Sequence, residues 1–405
     1  MSSDVAELER AVDEVPQGWR SLRLGDVARL GGGTTPSRNE TGYWDGGTIP
    51  WVTPSDITSL SPGVSTIDGT ENMVSERALA ECSLPLNPPG TVLMTSRATI
   101  GYAAINTVPM TTNQGFITFG AGQDLDPAFL LHWLIAQRAN LVAAAGGSTF
   151  KELSRGTAKL LPILLPPLDE QRRIAEVLRS VDEAIAAADG VISQLQETRG
   201  HRLETLMALP GTYRRIDEVC RLSGGNGFPI KHQGKAAGQY PFAKVSDMNR
   251  PGNEVQMRHA ENYVDEADLR TLKAKTFPVG TTFFPKVGAT LLTNKRRIAA
   301  VEMLVDNNVM GAVATDIDPW FLYYAFCTID MADYVQPGAV PSVNQRTIGQ
   351  IMIPVPDRAA QEEFVETMRD LDAAIEMQSD ALAQLTATKQ SLMADLLSGR
   401  VRVPA

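Results

Sequence analysis

The chain has 405 residues, 43% hydrophobic and 21% charged, a balance that excludes a disordered tail, a disulfide scaffold or a collagen-like fibre and suits two or three domains. Its net charge of −10 argues against nucleic acid as a partner if spread evenly, but the sums are −4 over 1–19, −1 over 20–165, −3 over 166–210, +2 over 211–356 and −4 over 357–405. The acid lies in the tail and in two helical stretches, so two near-neutral stretches with local basic clusters remain able to bind phosphate.

The N-terminal tail, 1–19, is acidic and does not read as a signal peptide. It is expected to pack near the end of the last helix. The stretch 20–165 reads as a mixed α/β globule. Leu24-Gly-Asp-Val-Ala-Arg-Leu-Gly-Gly-Gly33 opens it, Pro89-Gly90-Thr91 introduces an apolar run of strand character, and Asp126-Pro127 is a helix start with Asp as N-cap and Pro at the first helical position. The longest apolar runs, 129–136 and 160–168, fall short of the ~20 residues needed to span a bilayer. Cys82, Cys220 and Cys327 form no CxxC pair, which argues against structural zinc and for a reducing compartment. The expectation is a soluble, cytoplasmic protein with no membrane contact.

A long helix follows over 166–210, entered by Pro166-Pro167 and closed by Pro210-Gly211. Its heptad positions are Ile174, Leu178, Val181, Ile185, Ala188, Ile192, Leu195, Arg199, Arg202 and Leu206, with spacings alternating four and three. A second globule over 211–355 repeats the first. Ile216-Asp-Glu-Val-Cys-Arg-Leu-Ser-Gly-Gly225 matches the opening segment, Val279-Gly280-Thr281 the strand entry, and Asp318-Pro319 the helix start. The stretch 356–405 is the second long helix with a C-terminal tail. Its seam runs Phe364, Met368, Leu371, Ile375, Gln378, Leu382, Leu385, Lys389, Leu392 and Leu396, and 361–396 matches 171–206 without a gap.

The chain is therefore two copies of one unit, a globule and then a rod of about 60 Å at 1.5 Å per residue. A narrow apolar stripe needs a cover. Its own globule, another chain, or the equal rod elsewhere in this chain would each supply one, and the last, paired antiparallel, is the least costly. The fold class expected is α+β: two pseudo-symmetric mixed α/β domains separated by two long antiparallel helices that form a coiled-coil spacer. The polar seam positions Arg199, Arg202, Gln378 and Lys389 suggest a looser or partner-covered end. The acids Glu170, Glu176, Asp182, Glu183, Glu362, Glu363, Glu366 and Asp370 read as a solvated outer face.

Leu165-Pro-Pro-Leu-Asp-Glu-Gln-Arg-Arg-Ile-Ala-Glu-Val-Leu178, entering a heptad helix, resembles the conserved region of the specificity (S) subunit of type I restriction-modification systems. So do Trp19-Arg-Ser-Leu-Arg-Leu-Gly-Asp-Val27 and the stretch from Phe284-Pro285-Lys286 through Asp306-Asn-Asn-Val-Met310. The resemblance implies two target recognition domains that read the halves of a bipartite double-stranded DNA target, and helices that set the unread spacer. It implies docking of two methyltransferase (M) subunits and of restriction (R) subunits. It also implies that this chain is not catalytic and holds no cofactor, with S-adenosylmethionine, ATP and magnesium on the partners. A related defence system with other partners, a stand-alone DNA methyltransferase and a coiled-coil protein adaptor are the alternatives.

No catalytic set stands against that. Asn87-Pro88-Pro89-Gly90 lacks the aromatic that stacks on a flipped base in amino-methyltransferases, Phe119-Gly-Ala-Gly122 lacks methyl-donor-loop spacing, and no Gly-x4-Gly-Lys-Ser/Thr phosphate loop occurs. The histidines His132, His201, His232 and His259 show no metal-ligand spacing. DNA readout needs donors and acceptors on loops, with cations for phosphate. In the first globule the candidates are Thr34, Thr35, Arg38, Ser96, Arg97, Asn113, Gln114 and Lys151, with Gly146-Gly147-Ser148-Thr149-Phe150 beside the last. In the second they are Lys231, Lys235, Lys286, Lys295, Arg296, Arg297, Asn308, Gln345 and Arg346, the run Lys295-Arg296-Arg297 foremost. Gly31-Gly32-Gly33 reads either as a close approach to phosphate or as a plain turn.

Overall fold

The computed structural model describes residues 15–147, 151–336 and 338–403. The chain divides into two compact units, Met1–Val191 with Gln378–Ala405, and Ile192–Met377.

In the first unit, strands β1 (Arg20–Arg23), β2 (Ala28–Gly32), β3 (Ile49–Val52), β4 (Thr66–Ile67), β5 (Met73–Val74), β6 (Val92–Thr95), β7 (Ala103–Asn106), β8 (Thr111–Thr112), β9 (Phe116–Ala121) and β10 (Pro162–Leu165) build three sheets. The five-stranded sheet has the order β2-β9-β6-β7-β4, the three-stranded one β5-β3-β8, and β1 pairs antiparallel with β10. The second unit repeats this with β11 (Thr212–Arg215), β12 (Cys220–Gly224), β13 (Tyr240–Ala243), β14 (Gln256–Met257), β15 (Asn262–Val264), β16 (Thr282–Pro285), β17 (Arg297–Ala299), β18 (Leu304–Val305), β19 (Val309–Ala314) and β20 (Met352–Val355). Its orders are β12-β19-β16-β17-β14, β15-β13-β18 and β11-β20, strand for strand the same. The repeat in sequence is thus a repeat in topology.

The repeated signals have local causes. Gly90 (φ +84°) and Gly280 (φ +83°) turn the chain into β6 and β16 in a conformation that side chains resist. Asp126 accepts the Ala128 and Phe129 N–H groups at 2.9 and 3.0 Å, and Asp318 does the same for Trp320 and Phe321, each ahead of a proline at the first helical position. The helix Pro127–Ala136 then buries Phe129, Leu130, Leu131, Trp133 and Leu134 in the core. Asn87 and Pro88 form a structural turn whose carbonyls both accept from the Asn106 amide.

The long helices span Leu168–Leu206 and Arg358–Ser398. In the first turn of each, a buried glutamine ties helix to globule. Gln171 accepts from the Asp126 N–H at 2.8 Å and donates to the Asp124 and Pro166 carbonyls; Gln361 accepts from Asp318 N–H at 2.9 Å and donates to Pro356. Within each unit the two helical segments run antiparallel: Asp182 meets Lys389 at 2.5 Å in the first, and Arg199 meets Asp372 at 2.5 Å in the second. Every heptad residue expected on the seam is buried or half-buried.

Two expectations are corrected here. Three of the four polar seam positions, Arg199, Arg202 and Lys389, do not mark a loose end. Lys389 and Arg199 are mostly buried and each neutralises an aspartate of the opposite segment, while Arg202 lies 5.0 Å from the Phe364 ring centre. Nor are all the acids solvated. Asp182 is buried in its ion pair, and Glu170 is buried because Trp19 donates to it at 3.1 Å and Arg402 forks it at 2.6 and 2.8 Å. Glu176, Glu183, Glu362, Glu363, Glu366 and Asp370 are exposed.

Asp182 and Asp372 are the same position of the repeat, as are Arg199 and Lys389, so one acid–cation contact is made twice. The third member differs. Tyr324 donates to Asp372 at 2.8 Å, whereas its equivalent, His132, stands 3.9 Å from Asp182 and leaves its Nδ1 without a hydrogen-bond partner. Burial, aided by the Lys389 charge, pushes His132 down to about 3, so it stays neutral. Of the expected tail contact, 1–14 lies outside the described residues. Residues 16–19 do meet the end of the second helix: a methyl built on Gly399 would lie 2.5 Å from Pro16 and 3.4 Å from Trp19, and Arg402 donates to the Gln17 carbonyl.

Candidate nucleic-acid interface

A cleft of about 770 Å3 opens in the first globule where the end of edge strand β2 meets the segments 96–97, 114–117 and 152–156. The ladder sets it up. Leu153 N–H donates to the Ser96 carbonyl at 2.9 Å, Arg97 and Glu152 bridge, and Ser154 caps the short helix Arg155–Lys159 by accepting from Thr157 N–H. Arg29, Arg97 and Arg155 line it with a single acid, Glu152, which pairs with Arg97 at 3.0 Å. Arg29 and Arg155 are exposed and form no ion pair among the described residues. The cleft therefore carries net positive charge beside the backbone of an edge strand and the exposed Thr34 and Gln114 side chains, chemistry suited to a phosphodiester and to base edges.

The second globule is framed alike. Val343 N–H donates to the Lys286 carbonyl at 3.0 Å, Val287 bridges Ser342, and Asn344 caps the helix Gln345–Gly349. The ladder makes Lys286 the equivalent of Ser96, one position from Arg97. At or next to the equivalent positions of this frame stand the cations Arg221, Lys286 and Arg346.

Of the residues picked from sequence, Thr34, Ser96, Arg97 and Gln114 come together in the first cleft. Ser96 is buried, its N–H held by the Gly115 carbonyl at 2.7 Å, so its role there is structural. Thr35 is hydrogen-bonded to Gln114, and both are exposed. Asn113 forms a turn by accepting from Gly115 N–H. Arg38 stacks 3.8 Å from the Trp44 ring centre, outside this cleft. Lys151 is exposed, while Ser148, Thr149 and Phe150 lie outside the described residues. Gly33 serves strand packing, since a Cβ there would strike the Thr112 and Asn113 carbonyls; Gly225 meets Val305 and Asp306 likewise.

In the second globule Gln345 and Arg346 are exposed on the first turn of their helix, and Lys231 is exposed with no ion pair among the described residues. Lys235 is held by Asp268 at 2.6 Å, which keeps that carboxyl down at about 2. Asn308 donates to the Asp306 carboxylate in its own turn.

The run Lys295-Arg296-Arg297 is the main correction. Arg296 is buried, donating to the Phe326 and Ile329 carbonyls at 3.1 and 3.0 Å, and burial brings its guanidinium down to about 10. Arg297 donates twice to the Met248 carbonyl, and Lys295 to the Asn249 side chain. The two arginines satisfy backbone carbonyls rather than await a ligand, and Lys295 is engaged by a neighbouring side chain. Arg29 and Arg155 were missed. The signal for the first was present, because Arg29 recurs as Arg221 in the matched opening segments.

Among the described residues no group of His, Cys, Asp and Glu could hold a metal, and no helix is long and apolar enough to cross a membrane.

A family model described as the type I restriction modification DNA specificity domain matches residues 16–197 and again 212–387. The MjaIX type I restriction enzyme specificity subunit of Methanocaldococcus jannaschii is 25% identical across 98% of this chain and 96% of its own. The EcoR124I/EcoR124II specificity subunit of Escherichia coli is 28% identical over 40% of each chain. Among solved structures, the S subunit of a type I restriction-modification system from M. genitalium matches 95% of this chain and 97% of its own, with a TM-score of 0.60 at 15% identity, a likeness of fold.

Proposed function

Since the chain belongs to the type I restriction-modification DNA specificity family, as a specificity subunit, we propose that it reads a bipartite double-stranded DNA sequence, one half with each globule, and is itself not catalytic. The observation that carries this is the duplicated frame with a basic cleft, identical in topology and different in its polar side chains. Two copies of one frame suit one backbone geometry met twice, and unlike side chains suit unlike half-sites. The long helices set the length of the unread spacer. The chain docks methyltransferase subunits, which carry S-adenosylmethionine and methylate adenine, and restriction subunits, which use ATP and magnesium. The system works in the cytoplasm.

The test is co-purification with the methyltransferase partner and sequencing of methylated DNA. Adenine methylation at one bipartite motif is expected, and exchanging residues 20–165 for those of another family member should change one half-site alone. Methylation that is indifferent to the presence of this chain would refute the proposal.

A further inference from the structure

In the first globule Arg155 runs over Gly32, the last residue of edge strand β2. A methyl built on Gly32 would lie 3.7 Å from both Cδ and Nε of Arg155. The equivalent glycine of the second globule, Gly224, ends edge strand β12, and a methyl built there would lie 3.1 Å from Lys286 Nζ. These two cations are not equivalent in sequence. The ladders and caps match Arg155 to Gln345 and Lys286 to Ser96. The two globules thus keep a positive charge at one place in the frame and deliver it from different residues.

What recurs in place despite divergence in sequence should serve what is common to both half-sites, and the sugar-phosphate backbone is common while the bases are not. On each edge strand a further exposed arginine, Arg29 or Arg221, stands at the same register, opposite Gly120 and Val313. Charge does not coincide at Arg97 against Val287, at its partner Glu152 against Ser342, or at Gly156 against Arg346.

We propose, on the DNA reading above, that Arg155 and Lys286 are equivalent phosphate anchors, each laid over the terminal glycine of its edge strand, and that Arg97 and Arg346 carry the difference between the half-sites.

The test uses the complex with the methyltransferase partner, with equilibrium binding to a duplex carrying its motif measured from 50 to 200 mM salt. Each lost phosphate contact lowers the log–log salt slope by about 0.9, so the fourfold rise should weaken a Lys286→Ser complex about 3.5-fold less than the native one. Lys286→Met, which keeps the stem, should behave the same. Adding Gln345→Arg to Lys286→Ser rebuilds the first globule's arrangement in the second and should restore the slope, with the methylated motif unchanged throughout. An unchanged slope in both Lys286 variants overturns the proposal. So does an altered motif, or a failed rescue in a double variant whose circular dichroism matches the native complex. Absence of sequence-specific binding by the native complex would instead sink the DNA reading, and this inference with it.

Discussion

Replacing Lys389 with methionine should destabilise the first unit by about 3–5 kcal/mol, the usual cost of removing one partner of a buried ion pair. Burial, rather than distance, sets this figure. The Asp182 and Lys389 side chains are 5% and 15% exposed, whereas Arg179 and Glu176 on the same helix meet at 2.7 Å with 58% and 70% of their side chains exposed. Loss of that surface pair should cost only about 0.2–1 kcal/mol. Methionine keeps the apolar stem, so the loss reports the stranded Asp182 carboxylate. Burial already raises its pKa against the pull of Lys389, and without the lysine it rises further. A carboxyl raised in the fold binds its proton before the unfolded chain does. The penalty should therefore be full near pH 7 and shrink as pH falls toward the ordinary aspartate range. Urea unfolding followed by circular dichroism at pH 7.5 and 5 measures both. The double variant Asp182→Leu, Lys389→Met, with no charge left to strand, should regain most of the loss. A single-variant loss below about 1 kcal/mol, or a double variant no better than the single, would refute the reasoning.

His132 should make the native protein acid-sensitive. Its pKa is about 3 in the fold against about 6.5 unfolded, so between those values only the unfolded chain takes the proton, and stability falls by up to about 1.4 kcal/mol per pH unit as pH drops. His132→Phe should flatten the urea midpoint between pH 6.5 and 5. Arg296→Met should lower the thermal midpoint by stranding the Ile329 carbonyl, a cost of about 1–3 kcal/mol for a group left unpaired, while the Phe326 carbonyl keeps the Ile329 N–H at 3.3 Å. The salt slope of DNA binding by the assembled complex should stay as it was; a lower slope would return this arginine to the interface.

The architecture was legible where the signal is periodic or repeated. Heptad spacing marked every seam residue, and matched segments marked the duplicated sheets. What stayed hidden depends on partners far away in sequence. Arg199 and Lys389 looked like breaks in a seam because their aspartates lie 173 and 207 residues away. Glu170 looked solvated because Trp19 and Arg402 come from opposite ends of the chain. Arg296 looked like part of a basic patch because adjacency in sequence does not show which side chain turns inward to the carbonyls at a helix end. Arg155 was passed over because its relation to Gly32 exists only once the sheet edge has formed.

Both ends of the described chain enter the same compact unit, and this orders its birth on the ribosome. When synthesis has reached residue 377, every residue of the second unit exists, and that unit can close around its own helical segments. The first unit, begun earlier, still lacks Met393, Leu396 and Leu397, which share its core with Ile174 and Leu178, until the segment from Gln378 onward emerges. The globule translated first is therefore the one finished last, and a message truncated between the two stages would yield a second unit that is complete beside a first that is not.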